Sequence, residues 1–456
     1  MDIVALERAL AGEVWAQPLP HRNLTEMCDR FGPRFAGTPG YAAAAEWMQA
    51  RMREYGLVNV HLEPVEHAGW TRGEARLRVL APYAVEFPAF ALAYSPSGTW
   101  EADLVDLSYG SAELFAERGD QAAGKHVLMT NADPPGYRRG IHRKEKYARA
   151  MQAGAAGFIY ASTGVGSLPF TGSLAFGQAG SIPGVSISAE VAMVLRRWLD
   201  AGPVRLQVSM PSGGSTPALS HNVVGELPGG AEGGPQIILG GHLDTHDIAP
   251  GADDNGSGVV SALEAARALV AAGAVPPARV KLVLFAAEEL GLLGAEAYVR
   301  AHQDELHEIR LVLNADCVGV GGGMGICTQQ WLALTAKLRS YMRDIDETAN
   351  VTDAIVPFSD HFPFSLQGVP AVMVSGGPGE SGRGFVHTAY DTVDKVSSAR
   401  LQGVALNLAR LALRAGSDPQ WTIACREAAE VRDVLVASGH DVALRMDGRW
   451  PFGDQG

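Results

Sequence analysis

One stretch of nineteen residues, GGHLDTHDIAPGADDNGSG at 240–258, contains two histidines and four aspartates but no lysine or arginine. It begins where the apolar run QIIL ends, so its polar residues follow a predicted strand. Clustered carboxylates repel one another, and one of them takes up a proton unless a cation compensates. A divalent metal ion is the simplest such cation, and His and carboxylate ligands without cysteine suit a catalytic zinc site.

Three further segments carry residues of the same types. Glu288 and Glu289 follow VKLVLFAA, Asp316 follows IRLVLNA, and His387 lies beyond PAVMVSG. The sequence has no His-Glu-x-x-His helix, so the groups must arrive from successive strand ends. Such an arrangement can build a two-metal site with ions about 3.5 to 4 Å apart.

The elements between these groups predict how they are positioned. Short β-branched and Leu-rich runs alternate with helical stretches such as GVVSALEAARALVAAG at 258–273. This alternation predicts a mainly parallel sheet covered by helices on both faces, a three-layer α/β/α sandwich. Ligands of open α/β sheets bind beyond the carboxyl ends of the strands, where we expect His242, Asp244 and the groups named above.

Changes of composition along the chain predict two domains. The sequence changes character near residue 80, and Gly, Pro and Ser concentrate around 210–235. We therefore assign 80–215 to a smaller inserted α+β domain. Residues 1–79 and 216–456 form the N-terminal part and the main part of the catalytic domain, the latter with a C-terminal helix and tail. A chain of 456 residues with 47% hydrophobic residues is long enough for more than one core.

Composition also narrows the partners and the compartment. A net charge of -13 argues against a nucleic-acid partner, which normally meets a basic face. The sequence has no run of about 18 apolar residues, so it predicts no membrane span. The N-terminal stretch carries Asp2, Glu7 and Glu13 and lacks the basic start and apolar block of a signal peptide. Four cysteines without Cys-x-x-Cys spacing indicate reduced thiols, so we expect a cytoplasmic protein.

Five segments, taken in order, resemble the motifs of the M28 family of dizinc exopeptidases: GHLDTHDIAPGADDNGSG, LFAAEELGLLGAEAY, LNADCVG, SDHFPFSLQGVPAVMVSG and HTAYDTVDKV. Two earlier segments, LTEMCDRFGPRFAGTPG and GLVNVHLEPVEHAGWTRGEARL, resemble more narrowly the carboxypeptidase Q branch. The inserted segment resembles the protease-associated (PA) domain of that family, which usually shapes the cleft. The resemblance extends over about residues 24 to 396.

The resemblance implies a role for each matching residue. The metal ligands would be His242 and Asp316 for one zinc, Glu289 and His387 for the other, and Asp254 between the two. Glu288 matches the general base, and Asp244 would orient the His242 imidazole from behind. Mn²⁺ or Co²⁺ could replace Zn²⁺ at such ligands. His246 and Asp247 are interpreted as loop residues near the rim.

Contacts to the substrate are less well defined by the sequence. His361 in the SDH segment and Arg383 are candidates, and an arginine can bind a substrate carboxylate with two hydrogen bonds. Some family members place a tyrosine where this chain has Val369 or Val386. Tyr390 is a candidate substitute, and the donor to the oxyanion stays unassigned.

These features favour an exopeptidase that acts on dipeptides or short peptides, with the recognised terminus left open. The carboxypeptidase Q resemblance favours the carboxylate or dipeptide side, and the family suggests a homodimer. One alternative is an M20-like amidohydrolase or aminoacylase, in which the extra domain falls among the ligands rather than before His242. A second is an inactive M28-like binding protein, which would lack ligands that this chain keeps. A glutaminyl cyclase would lack the insert.

Overall fold

The computed structural model describes residues 2–453 apart from Arg138, Val165, Ser167, Glu232 and 378–384. Within these residues the α-helices are α1 (Ile3–Ala16), α2 (Leu19–Phe31), α3 (Pro39–Glu54), α4 (Ala112–Arg118), α5 (Arg143–Gln152), α6 (Ala189–Ala201), α7 (Gly258–Ala271), α8 (Leu293–Ala301), α9 (Leu332–Ile345), α10 (His361–Leu366), α11 (Ser398–Ser417), α12 (Ala428–Ala437) and α13 (Asp441–Met446). The strands are β1 (Val58–Thr71), β2 (Arg76–Ala81), β3 (Val85–Pro88), β4 (Phe90–Ala91), β5 (Gly98–Asp106), β6 (His126–Thr130), β7 (Gly157–Ala161), β8 (Gly184–Ile187), β9 (Arg205–Met210), β10 (Gly214–Glu226), β11 (Gln236–His242), β12 (Arg279–Phe285), β13 (Ile309–Ala315), β14 (Met324–Cys327), β15 (Asn350–Thr352) and β16 (Ala371–Gly376). None of these helices combines the length and the apolar character needed to cross a bilayer.

The central sheet has the strand order β1-β10-β12-β11-β13-β16-β14-β15. Its four middle strands, β12, β11, β13 and β16, run parallel, which confirms the predicted parallel core. The sheet is mixed toward its edges, where β1 pairs antiparallel with β10 and β14 pairs antiparallel with β16. The way the insert is connected explains the antiparallel pairing of β1 with β10. The chain leaves this domain on β1 and returns on β10, with Thr71 opposite Gly214.

Helices cover both faces of this sheet. Strands β11 and β13 are almost wholly buried apolar runs, as expected of parallel strands packed between two helical layers. Helices α7 and α11 pack in the large core on one face. On the other face, α8 and α10 pack in a smaller core around Phe285, Tyr298 and Phe364. The structure is therefore the predicted three-layer sandwich.

The inserted segment builds a second sheet with the order β3-β2-β9-β5-β6-β7-β8-β4. Strands β5, β6, β7 and β8 run parallel, and every residue of β6, β7 and β8 is buried. Helix α5 packs against this sheet through Tyr147 and Ala150. Strand β2 belongs to this sheet and begins at Arg76, before the boundary predicted at residue 80. Among the elements of the insert, helix α5 is the most important for the candidate site.

Candidate functional site

Neighbouring strand ends deliver the polar groups to one edge of the central sheet. His242 is the last residue of β11, and Asp316 directly follows the last residue of β13. Glu288 and Glu289 follow the end of β12 by a short turn. Because β12, β11 and β13 are parallel neighbours, their carboxyl ends meet at the same edge. His387 reaches this edge from the segment after β16.

Asp254 lies in the middle of the cluster, in the irregular segment that precedes α7. Its Oδ1 is 3.2 Å from Nε2 of His242, and its Oδ2 is 3.1 Å from Nε2 of His387. The carboxylate of Asp391 fixes this segment by accepting the backbone N–H groups of Asp253 and Asp254 at 2.8 and 3.0 Å. Asp253 itself points away and accepts the backbone N–H of Gly319 at 2.7 Å. Asp254 is therefore the aspartate that faces both imidazoles.

The two oxygens of Asp254 divide the site into two groups. On the Oδ1 side, Nε2 of His242 lies 3.6 Å from Oδ1 of Asp316. On the Oδ2 side, Nε2 of His387 lies 3.6 Å from Oε2 of Glu289. Ligand atoms that bind a tetrahedral zinc at about 2.0 to 2.2 Å are about 3.3 to 3.6 Å apart. The spacing of these side chains fits two metal ions that share one carboxylate.

The electrostatics of this cluster also favour a bound cation. Burial raises the pKa of Glu289 to about 7, and the Asp254 carboxylate adds to the increase. Burial lowers the pKa of His242, but the carboxylates of Glu288, Asp254 and Asp316 outweigh burial and raise it well above its usual range. Two metal ions would balance this excess of carboxylates. The nitrogen and oxygen donors suit Zn²⁺, and Mn²⁺ or Co²⁺ also bind such a set.

Asp244 acts in a different way from the one that the sequence predicts. Nδ1 of His242 is 3.0 Å from the backbone carbonyl of Asp244 but 3.7 Å from its carboxylate. The carboxylate instead accepts the backbone N–H groups of Glu288 at 3.1 Å and Glu289 at 3.2 Å. Asp244 thus holds the turn that carries the two glutamates. The main chain, rather than the carboxylate, leaves Nε2 of His242 as the free nitrogen.

Two residues of the cluster make contacts that the sequence does not predict. His246, interpreted as a rim residue, is buried with its Nε2 2.7 Å from Oε2 of Glu289 and its ring 4.5 Å from that of His387. Ser359 donates to Oδ2 of Asp316 at 2.5 Å, and its hydroxyl accepts a hydrogen bond from Asn314 at 2.7 Å. The second histidine of the cation-poor 240–258 stretch was the available signal for His246. Ser359 belongs to the SDH segment at 359–361, for which the sequence leaves a role in binding the substrate or supporting a metal ligand open.

The buried guanidinium of Arg34 fixes the loop that carries His246. It donates to the backbone carbonyls of Leu243 at 2.9 Å, Pro250 at 2.6 Å and Gly251 at 3.2 Å. These three acceptors lie on both sides of His246, so one arginine closes the loop over the sheet edge. The segment around Arg34 therefore takes part in forming the site.

Two of the predicted substrate contacts, His361 and Tyr390, do not line the cavity over the cluster. His361 is fully buried in α10 and does not line the cavity, and its role as a substrate contact stays a prediction. Tyr390 is 53% exposed and also lies outside the cavity lining. Arg383 lies outside the described residues. Val386 lines the cavity, whereas Val369 is buried in the smaller core.

A cavity of about 270 Å³ opens over the cluster. Its acidic wall is formed by His242, Asp254, Glu288, Glu289, Asp316 and His387. The inserted domain forms the opposite wall with His142, Arg143 and Lys144 from the start of α5. The cavity therefore lies between the two domains, with carboxylates on one side and cations on the other.

The inserted domain also holds one candidate ligand in place. Thr171 donates its backbone N–H to the carbonyl of His387 at 2.8 Å, and its own carbonyl lies 3.1 Å from Nδ1 of His387. The ring of Phe170 stacks on the imidazole with 4.8 Å between centroids. His387 has a φ of +60°, a conformation that non-glycine residues adopt only when their surroundings hold it. The insert supplies those surroundings.

Comparison with known families places these residues in context. Residues 222–412 match the model of peptidase family M28, and residues 96–195 match the model of the PA domain. Residues 222–412 are called the M28 domain and residues 96–195 the PA domain after these matches. This M28 domain includes both groups around Asp254, and the matched PA segment lies before it in the chain.

Individual relatives of the M28 domain carry different names. The chain is 30% identical to carboxypeptidase Q of Bos taurus over 311 residues, which cover 66% of this chain and 65% of that protein. It is 27% identical to a probable leucine aminopeptidase 2 of Aspergillus oryzae over 386 residues, which cover 81% of this chain and 72% of that protein. The first match thus spans slightly less than two thirds of its relative. A crystal structure of a zinc aminopeptidase from Bacillus subtilis superimposes with a TM-score of 0.68 at 23% identity, covering 90% of this chain and 98% of that one, and so shares the fold.

Proposed function

We propose that this protein is a zinc-dependent exopeptidase that hydrolyses dipeptides or short peptides. The observation that carries the proposal is the position of Asp254, whose two oxygens lie 3.2 and 3.1 Å from the imidazoles of two separate ligand groups. The M28 domain and the relatives named carboxypeptidase Q and probable leucine aminopeptidase 2 support the same reaction class. Enzymes that share one fold can differ in chemistry, so the proposed function rests on the geometry of the site and not on the fold alone.

We propose two zinc ions per chain. The residues that would hold them are His242 and Asp316 in one group, Glu289 and His387 in the other, and Asp254 between both. When bound, such ions polarise a carbonyl oxygen and lower the pKa of a water molecule toward neutrality. His246 lies in contact with the second group and shields Glu289 from solvent.

Glu288 is the proposed general base. It lines the cavity, next to Glu289 in sequence, and its backbone N–H is fixed by Asp244. Burial raises the pKa of Glu288 well above its usual range, and the neighbouring carboxylate of Glu289 adds to the increase. A carboxyl group with a raised pKa can take the proton of the attacking water and return it to the leaving amine near neutral pH. This exchange leaves Glu288 unchanged after each cycle.

The dimensions of the cavity favour small substrates. Its volume of about 270 Å³ lies near the lower end of the roughly 300 to 1,000 Å³ that is usual for ligand pockets. The wall formed by α5 of the insert limits the space beyond the acidic cluster. We therefore propose dipeptides and short peptides rather than folded proteins as substrates.

We also propose that the protein works in the cytoplasm. The supporting observation is the small number of cysteines, four in 456 residues, none of them in Cys-x-x-Cys spacing. So few cysteines in a long chain are usual where the compartment is reducing. Fractionation of cells that make the protein, with detection of the native chain, would test the location: recovery outside the cytoplasm would overturn it.

The test of function compares the wild-type protein with Glu288→Gln on a panel of dipeptides and on tripeptides blocked at either end. We expect Glu288→Gln to lower kcat by about 10² to 10⁴-fold, the usual contribution of a general base, while its zinc content stays that of the wild type. Glu347→Gln, at an exposed position, is the matched control and should keep full activity. Zinc-loaded wild-type protein that folds and cleaves none of the panel would refute the proposal and favour a binding protein.

A further inference from the structure

Arg143 has an unusual environment at the start of α5. Its side chain is only 5% exposed, and its Nε donates to the backbone carbonyl of Ser173 at 2.8 Å. The guanidinium lies flat against the backbone at Gly172, where an added Cβ would come within 2.0 Å of Cζ. Only glycine permits that approach. The chain therefore builds a specific seat that fixes the orientation of this arginine.

The outer nitrogens of Arg143 have no acceptor in the part of the chain that the structure describes. Among the described residues, no hydrogen bond or ion pair reaches Nη1 or Nη2, and the nearest aromatic ring, that of Phe170, has its centroid 5.8 Å from Cζ. The next residues on the same helix differ. Glu145 pairs with Arg139 at 2.7 Å and with Arg149, and Lys146 donates to two backbone carbonyls at 2.8 Å. A buried cation without a partner is costly, so a ligand is expected to complete it.

The position of Arg143 indicates which ligand this is. Arg143 lines the cavity opposite the two groups around Asp254. Lys144 lines the same wall, with its Nζ 3.3 Å from the ring centroid of Phe176 and no ion pair among the described residues. The guanidinium presents two parallel N–H groups, which match the two oxygens of a carboxylate. A cavity with hydrolytic groups on one wall and an open arginine on the other suits a peptide that ends in a free carboxylate.

We propose that Arg143 binds the C-terminal carboxylate of the peptide substrate and thereby makes the enzyme a carboxypeptidase or dipeptidase. The proposal rests on the exopeptidase function proposed above and adds the terminus that is recognised. The last residue of the substrate lies between Arg143 and the acidic cluster, which places the last peptide bond beside Glu288. The PA domain therefore supplies the determinant of specificity, and the M28 domain supplies the hydrolytic groups.

The experiment compares Ala-Leu with its C-terminal amide, Ala-Leu-NH₂, on the zinc-loaded full chain. We expect the wild type to prefer the free acid by about 100-fold in kcat/KM, and Arg143→Gln to lose that preference mainly through a higher KM for the acid. Arg143→Lys keeps the charge but not the paired N–H groups and should lose part of the preference. Arg205→Gln, an exposed arginine of the same insert, is the matched control and should retain all of it.

Three results would overturn the proposal. One is a wild type that cleaves the amide as well as the acid. Another is an Arg143→Gln protein that folds, holds its zinc and keeps the wild-type preference. The third is an equal loss of kcat on both substrates, which would make Arg143 a donor to the reacting carbonyl instead.

Calorimetry with Glu288→Gln separates this proposal from that of the function. Ala-Leu should bind about 100-fold more tightly than Ala-Leu-NH₂ even if neither is hydrolysed by the wild type. Tighter binding of Ala-Leu without hydrolysis by the wild type would refute the proposed peptidase activity but support the carboxylate-binding site. Equal affinities for the two compounds would refute the carboxylate site, and this readout does not depend on whether the Arg143 variants fold.

Discussion

The two walls of the cavity come from domains that treat buried charge in opposite ways. In the inserted domain, the buried charges behind the cavity have partners within the chain: Glu145 lies between two arginines, and Lys146 is held by two backbone carbonyls. At the edge of the M28 sheet, carboxylates gather around the imidazoles of His242 and His387, and no lysine or arginine among the described residues forms an ion pair with them. Satisfied charges stabilise a fold, whereas unsatisfied ones mark where a ligand belongs.

Helix α5 shows both behaviours within one turn. Arg143 and Lys144 line the cavity and form no ion pair with a described residue, whereas Glu145 and Lys146, which follow them, have partners within the insert. Burial alone does not separate these residues, because all four are at most 5% exposed. What differs is the presence of a partner. The comparison therefore predicts that changes at satisfied positions affect stability, and changes at unsatisfied positions affect metal or substrate binding.

The largest effect is expected for Asp254→Ala, which removes the carboxylate shared by both groups. Zinc should fall from two ions to at most one per chain, and kcat/KM should fall by more than about 1,000-fold, because the metal ions contribute several kcal/mol to the reaction. Metal analysis and dipeptide hydrolysis measure the two quantities. Asp304→Ala, at an exposed position, serves as the control. Two zinc ions retained by the Asp254 variant would contradict the bridging role.

Glu145→Gln should produce the opposite pattern. Removing the carboxylate leaves Arg139 and Arg149 without their shared partner, and breaking such a buried pair costs about 3 kcal/mol of unfolding free energy. Activity well below the melting temperature should stay within twofold of the wild type. Urea unfolding and steady-state kinetics test both statements. Unchanged stability with impaired kinetics would reverse the contrast between the two domains.

A smaller effect is expected for Ser359→Ala. Its hydroxyl donates to Asp316 at 2.5 Å, and hydrogen-bond partners of metal ligands typically contribute 10- to 100-fold in metal affinity. We predict a loss of about that size in competition with a coloured chelator, with little change in folding. Affinity equal to that of the wild type would show that Asp316 needs no such support.

The smallest effect concerns His126 in the core of the insert. Burial lowers the pKa of His126 to about 4, below the value of about 6.5 in an unfolded chain. The unfolded chain therefore binds a proton that the folded chain does not bind between these values, and stability falls as the pH drops from about 6.5 toward 4. The loss attributable to His126 should be about 1 to 2 kcal/mol at pH 5. In thermal unfolding, the loss of stability between pH 7 and pH 5 should be smaller for His126→Gln than for the wild type. An equal loss in the two proteins would contradict the assignment.

The sequence could predict the parts of this structure that local patterns determine. His242, Glu289 and Asp316 follow apolar runs whose burial requires parallel strands, so their convergence at one edge follows from the fold class. The same reasoning gave a mainly parallel sheet. It missed the antiparallel pairing of β1 with β10, because that pairing reflects how the insert is connected rather than any pattern within the strands.

Contacts between distant segments could not be read in this way. The carboxylate of Asp244 binds the turn after the neighbouring strand, so its partners depend on the register of the sheet. His361 belongs to a segment that resembles a family motif, but it is fully buried in α10 and does not line the cavity. Arg143 belongs to another domain, and only the packing of α5 against the M28 domain brings it to the cavity. The role proposed for Arg143 rests on its lack of an acceptor among the described residues, which the sequence does not reveal.

The most direct test of the central claim is a crystal structure of the zinc-loaded protein with anomalous difference maps collected on both sides of the zinc absorption edge. The account predicts two zinc peaks per chain, about 3.5 to 4 Å apart. One oxygen of Asp254 should bind each ion, with His242 and Asp316 on one side and Glu289 and His387 on the other. A single peak, or two peaks with Asp254 bound to only one of them, would contradict it.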